Sequence, residues 1–161
     1  MQYQSIVMTA SASATHTLRE EFQRLRGKAV RRRLFSRLTG QQSQLLNLAE
    51  VQKASEVRVR AHGGLKLVPI EKIRGSLNRC QDFDSDFRPL QEYTEERWIT
   101  IAGAHCRDES LPPVELIELD DTYFVTDGHH RISVARMMGQ REIEAEVTVW
   151  YKGSRATAAE E

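Results

Sequence analysis

Between Tyr123 and Arg131 the chain reads Tyr-Phe-Val-Thr-Asp-Gly-His-His-Arg, and no other stretch limits the fold as tightly. Four strand-favouring residues run directly into Asp127–Gly128, and a helical pattern starts on the next residues. A strand that yields to a helix within two residues requires a sheet with that helix laid back across it. The flanks agree. Residues 114–119 alternate as a strand and turn at Asp120–Asp121, so 114–119 and 123–126 predict a hairpin. The helix predicted over 130–138 closes at Gly139, the expected position just past a helix end, and 143–150 alternate as a last strand. The expected class is α+β, a small mixed sheet with flanking helices over residues 57–150.

Upstream, Leu18, Phe22, Leu25, Ala29, Val30, Leu34 and Leu38 recur every three or four residues, which predicts an amphipathic helix over 17–38, bent or broken near Gly27. Asn47 with Glu50 three positions on resembles a capping box that opens a short helix to about Ala54. Residues 57–60 alternate as a strand, Gly63–Gly64 are expected to break it, and 65–68 form a separate extended piece. From 70 to 86 the pattern is that of a polar loop. Thr94 is the expected cap of a helix reaching about His105. The resulting division is a disordered leader over 1–14, a basic helical arm over 15–56, the α+β domain over 57–150 and a flexible tail over 151–161.

The charges sharpen that division. The chain holds 23 Lys+Arg and 23 Asp+Glu, a net charge of zero. Residues 15–60 nevertheless carry 11 basic and 4 acidic side chains, and residues 61–161 carry 12 and 19. Overall neutrality excludes a bulk polycation or an acidic tail. The run from Arg24 to Arg37, with Arg31, Arg32 and Arg33 at its centre, has no acid in it and suits non-specific contact with a DNA backbone. The complementary charge of the two segments slightly favours docking on the acidic domain of the same chain, or of a neighbouring chain in a homodimer. Cys80 and Cys106 have neither disulfide-framework nor zinc-finger spacing, and no apolar run approaches the ~18–20 residues of a membrane span. The expected location is the cytoplasm, with no membrane partner.

The chemistry concentrates at the strand–turn–helix. The first N–H groups of a helix lack intrahelical partners, and the helix dipole makes that end partly positive. Gly128 has no Cβ to block a ligand, and His129, His130 and Arg131 add donors. Such a turn suits a phosphate, and Asp127 fits it if a divalent cation bridges carboxylate and phosphate. The plainer reading is that Asp127 caps the helix and Gly128 eases the turn. The two readings weigh evenly on these grounds. Asp82, Asp84 and Asp86 invite comparison with a calcium loop, but Phe87 stands where glycine is needed and Tyr93 where a bidentate glutamate is needed, so capping is the expected role.

The run LPPVELIELDDTYFVTDGHHRISVARMMGQREIEAEV, with VPIEKIRGSLNRCQDFD upstream, resembles the ParB/sulfiredoxin superfamily over residues 67–149. The resemblance implies a nucleotide, ATP, ADP or CTP, bound with magnesium, and hydrolysis or transfer of phosphate. In ParB partition proteins the motif is Gly-Glu-Arg-Arg. Gly128 and Arg131 match it, and Arg79 corresponds to a phosphate-holding arginine of the first box. In sulfiredoxin the motif is Gly-Cys-His-Arg, and His129 replaces its nucleophilic cysteine, which argues against that activity. Free-serine kinases read Asp-Gly-His-Thr-Arg, matching Asp127, Gly128, His129 and Arg131, with Glu71 as the counterpart of an important upstream glutamate. The resemblance thus implies Asp127, His129 and Glu71 as catalytic residues, Asp127 as the magnesium ligand, and Arg79, Gly128, His129, His130 and Arg131 around phosphate.

Overall fold

The structure is a computed structural model that describes residues 11–55 and 57–152. Most of the expected leader and tail lies outside them. Twelve segments follow in order, the principal ones being α1 (Ser11–Thr39), β1 (Leu46–Asn47), α2 (Leu48–Ala54), β2 (Val57–Pro69), β3 (Ile73–Ser76), α3 (Glu95–Cys106), β4 (Val114–Leu119), β5 (Thr122–Asp127), α4 (His129–Met137) and β6 (Glu142–Lys152). The six strands form one mixed sheet in the order β1-β3-β5-β4-β6-β2. The class is α+β, as expected.

Strand alternation divides the sheet between two cores. Leu116 of β4, Tyr123 and Val125 of β5, and Ala145 and Val147 of β6 pack with Ile132 and Ala135 of α4. Ile117, Leu119 and Phe124 belong to the other core and pack with Leu48 of α2. The hairpin turns through Asp120 and Asp121, both left-handed at φ 49° and 59°, the backbone that suits the twist of a two-residue hairpin. Asn47 caps α2 by accepting the Ala49 N–H at 3.0 Å.

Several local expectations give way to tertiary pairing. Gly63–Gly64 do not end a strand: β2 runs through them against β6 and absorbs them as an irregularity between His62 and Gly64. The expected loop after residue 70 contains β3, which pairs parallel with β5 and places Ser76 beside Val125. Thr94 does not cap α3 with its side chain; its hydroxyl donates to the Gln91 carbonyl at 2.7 Å within a short 3₁₀ turn. Helix α1 is continuous through Gly27 and already helical at Ser11, four residues before the expected arm.

That arm is no appendage. Leu18, Phe22 and Leu25 bury against Trp98, Ile99 and Ala102 of α3 and Val134 of α4. Phe22 meets Trp98 edge-on at 5.8 Å between centroids, and the Trp98 indole N–H donates to Ser133 of α4 at 3.0 Å. Around this stripe, Arg19 bonds Glu95 and Glu96 at 2.9 and 2.8 Å, and Arg32 pairs with Asp86. Exposed ion pairs are worth ~0–1 kcal/mol and a buried large apolar side chain ~1.5–3 kcal/mol, so the apolar stripe holds α1 and the charges set its register. The stripe stops short of its sequence pattern: Val30, Leu34 and Leu38 are exposed. Phe22→Ala is expected to lower stability by about 3–5 kcal/mol in urea unfolding, the usual cost of emptying a buried aromatic site. Arg19→Ala should shift the same curve far less.

Candidate phosphate site at the amino terminus of helix α4

Strand β5 delivers the chain to Gly128, which adopts φ 98° and starts α4. This backbone excludes side chains in general, and packing excludes them again: a Cβ here would lie 2.5 Å from Val114 Cγ1 and 2.8 Å from Val114 Cβ. The space the glycine leaves is therefore filled by Val114 and not by a ligand, which corrects the expected reason for the residue. The first helical hydrogen bond runs from the Ile132 N–H to the Gly128 carbonyl at 3.0 Å. The amides of His129, His130 and Arg131 thus stand at the helix end without intrahelical partners.

Both histidines are buried, at 3% and 5% exposure, and both pack on Phe83: His129 stacks at 5.9 Å and His130 meets it edge-on at 5.3 Å. Burial pushes the His129 pKa down to about 4, with the charges of Arg79 and then His130 adding to the effect. Burial likewise takes His130 to about 4, followed by the charges of Arg97 and Arg79. The two imidazoles are neutral at pH 7, so they offer donors and acceptors but not the positive charge expected of them.

Ser76, at the end of β3, fixes one of them. Its Oγ accepts the Asn78 N–H at 3.3 Å and the Arg79 N–H at 3.0 Å, and lies 2.7 Å from His129 Nε2. With both lone pairs taken, the hydroxyl proton goes to Nε2, and His129 carries its own proton on Nδ1. Arg79 projects from the same turn and pairs with Asp82 at 3.0 Å, while the Tyr93 hydroxyl donates to Asp82 at 2.6 Å. His130 Nε2 is buried and has no hydrogen-bond partner.

The remaining expected residues are placed differently. Arg131 lies beside the helix start, one terminal nitrogen 3.1 Å from where a Gly128 Cβ would stand: its guanidinium donates to the carbonyls of Pro112 and Pro113 and pairs with Asp127. It ties the segment entering β4 to the start of α4. The same pair occupies Asp127, and among the described residues no three His, Cys, Asp or Glu side chains gather to hold a metal. Asp127 would therefore meet the expected magnesium with a carboxylate already paired to Arg131. Glu71 lies ahead of β3, beside Ile70, whose carbonyl accepts from Arg136 in the last turn of α4. It therefore sits at the far end of α4 from His129, and the expected catalytic grouping of Glu71 with Asp127 and His129 does not form. Of the candidate DNA contacts, Arg24 pairs with Glu21, Arg32 with Asp86, Arg33 donates to Gln81, and Arg31 is exposed.

Sequence reasoning missed Ser76, Phe83, Asp82, Tyr93 and Arg97. A serine three residues before Arg79 is a legible side-chain-to-backbone turn. Phe83 and Arg97 reach the site through tertiary packing and leave no local signal. Asp84, one of the three spaced aspartates, caps as expected: its Oδ1 accepts the N–H groups of Asp86 and Arg88 at 2.9 Å each.

No protein-family model matches the chain, and no curated protein matches it. Among solved structures it is similar to sulfiredoxin from Arabidopsis thaliana, with 24% identity, 55% of this chain and 85% of that chain covered, and a TM-score of 0.39. No helix among the described residues is long and apolar enough to cross a membrane.

Two measurements test this geometry. The unfolded chain binds protons on His129 and His130 at pH values where the fold holds them neutral, so stability is full above about pH 6.5 and falls as pH drops towards about 4. Urea midpoints at pH 7, 5.5 and 4.5 should decline, and His130→Gln should flatten the decline. Nitrogen-15 NMR of the imidazoles should show His129 protonated on Nδ1 at pH 7, and Ser76→Ala should release that preference.

Proposed function

We propose that the protein binds a nucleoside phosphate, with a phosphate group at the amino terminus of α4. The observation that carries the reading is the buried, unpartnered Nε2 of His130, supported by the helix amides of residues 129–131 that lack intrahelical partners and by the charges of Arg79 and Arg97 that act on the ring. An orphaned buried nitrogen costs ~1–3 kcal/mol and calls for a partner, and an oxyanion is the partner that also satisfies helix amides and guanidinium groups. The resemblance to ParB-like nucleotide binders points the same way, through Gly128 and Arg79.

Each residue then has a distinct task. Arg79, held by Asp82, supplies charge. His130 donates from a neutral ring, provided its proton sits on Nε2. Ser76 keeps His129 neutral and oriented, and the pair of Arg131 with Asp127 braces the helix end from behind. The exposed ring of Tyr93, anchored through its hydroxyl to Asp82, offers a stacking face for the base. The geometry favours binding over turnover, because Asp127 is engaged and Glu71 is at the other end of the helix.

Calorimetry with ATP, ADP and CTP, each with and without magnesium, tests the reading. At least one nucleotide should bind, and Arg79→Ala and His130→Ala should each weaken it by ~10-fold or more, the worth of a charge-assisted hydrogen bond. Arg131→Ala should lower the melting temperature, since its guanidinium is structural. No heat with any nucleotide, or unchanged affinity in both the Arg79 and His130 variants, overturns the proposal.

A further inference from the structure

A cleft of about 860 Å³ lies at the opposite end of α4 from His129. Small-molecule sites commonly span ~300–1,000 Å³. Helix α1 forms one wall, and the end of α4 with the residues entering β6 forms another. Arg24, Lys28, Arg88, Arg136 and Arg141 bring positive charge to it. Glu71, Asp86 and Glu142 are the opposing carboxylates, and Asp86 is already shared among Arg32, Arg88 and Arg136.

Arg136 is the most exacting of these groups. One of its terminal nitrogens donates to the carbonyls of Ile70 and Ile73 at 2.9 and 3.3 Å, and its guanidinium carbon lies 5.4 Å over the Phe87 ring. Its carboxylate partner, Asp86, is 4.0 Å away and shared. Its Nε is buried and has no partner. Burial, foremost among several causes, holds the guanidinium below its ordinary pKa. Asp86, distant and shared, and Asp84 offset part of that desolvation, while the exposed side chains of Lys28 and Arg141 beside it raise the local positive potential.

We propose that this cleft is a second ligand site, taking a small, multiply charged oxyanion between α1 and the end of α4, with Arg136, Arg141 and Lys28 as its cationic contacts. Phosphates and carboxylates share the recognising chemistry. A bound anion here joins α1 to the sheet domain across a wall that the Phe22 stripe does not cover. The site is separate from the amino terminus of α4 and does not rest on the nucleotide reading.

The experiment titrates the nitrogen-15-labelled full chain with inorganic pyrophosphate and, separately, with citrate, at constant ionic strength. The Arg136 Nε–H signal is followed together with the amides of His129, His130 and Arg131; burial protects the Nε proton from exchange and keeps it visible. The expected result is a saturable shift of Arg136 Nε–H, with pyrophosphate alone assigning phosphate and citrate alone assigning carboxylate as the preferred class. The doubly substituted Lys28→Ala, Arg141→Ala chain, altered only at exposed positions, should bind at this end at least tenfold more weakly and keep the response of the His129 amides. An Arg136 signal that moves with neither anion, or identically in the double variant, overturns the proposal. A response confined to the His129–Arg131 amides also overturns it while leaving the nucleotide reading standing. The reverse pattern supports the cleft and counts against that reading.

Discussion

The contact between Gly128 and Val114 is the constraint on which the rest depends. Because the glycine has φ 98° and no Cβ, β5 can end and α4 begin within one residue, with the helix lying directly against β4. That placement sets Ile132 and Ala135 into the first core and turns Ser133 towards Trp98, so α3 and then α1 follow. It also leaves the amides of residues 129–131 without intrahelical partners at the helix end that His129 joins to Ser76. One backbone conformation thus links packing and the candidate site. The role of the glycine itself is thus structural, because Val114 takes the space it leaves.

What could be read from the sequence divides along the range of the interactions. The hairpin, α4 and β6 are set by alternation, by the Asp120–Asp121 turn and by Gly139, all local signals, and they stand within a residue or two of their expected limits. β3 was invisible because Ile73–Ser76 is too short to show a period; it exists because β5 offers it a parallel edge. β2 crosses its two glycines because eleven residue pairings with β6 outweigh a local propensity to break. In the site, Gly128 and the histidines were legible, but their reasons were not. Burial against Phe83 makes the imidazoles neutral, and no local pattern announces a phenylalanine forty-odd residues away as the lid on a histidine.

The basic arm shows the same limit in electrostatic form. Its excess of positive charge suits nucleic acid when read alone, and the acidic half of the chain slightly better when the two are read together. The structure uses arginines along α1 for the second purpose. Arg19, Arg32 and Arg33 have partners between Gln81 and Glu96, and the apolar stripe beneath them is what makes those pairings simultaneous. Exposed pairs of this kind contribute little energy, yet they exclude alternative rotations of α1 about its stripe, because a rotated helix would place unpaired arginines over Trp98 and its neighbours.

The two ends of α4 then pose opposite physical problems for the same kind of ligand. At the amino terminus the helix contributes about half a positive charge and three directed N–H groups, so an anion is welcome even with both histidines neutral. At the carboxyl terminus the dipole opposes an anion by ~0.3–1 kcal/mol, and outward carbonyls replace donors. Two of the nearby carbonyls, those of Ile70 and Ile73, are consumed by Arg136 itself. The last carbonyls of α4 itself, those of Val134, Ala135 and Arg136, accept the N–H groups of Met138, Gln140 and Gly139, so the Arg136 guanidinium is left to bridge α4 to the segment ahead of β3 beside the cleft. The cations that fold the protein are those with carboxylates in reach. Arg19, Arg24 and Arg79 have carboxylates in hydrogen-bonding reach, whereas Arg136 in the last turn of the nine-residue α4 has Asp86 only at 4.0 Å, shared with Arg32 and Arg88.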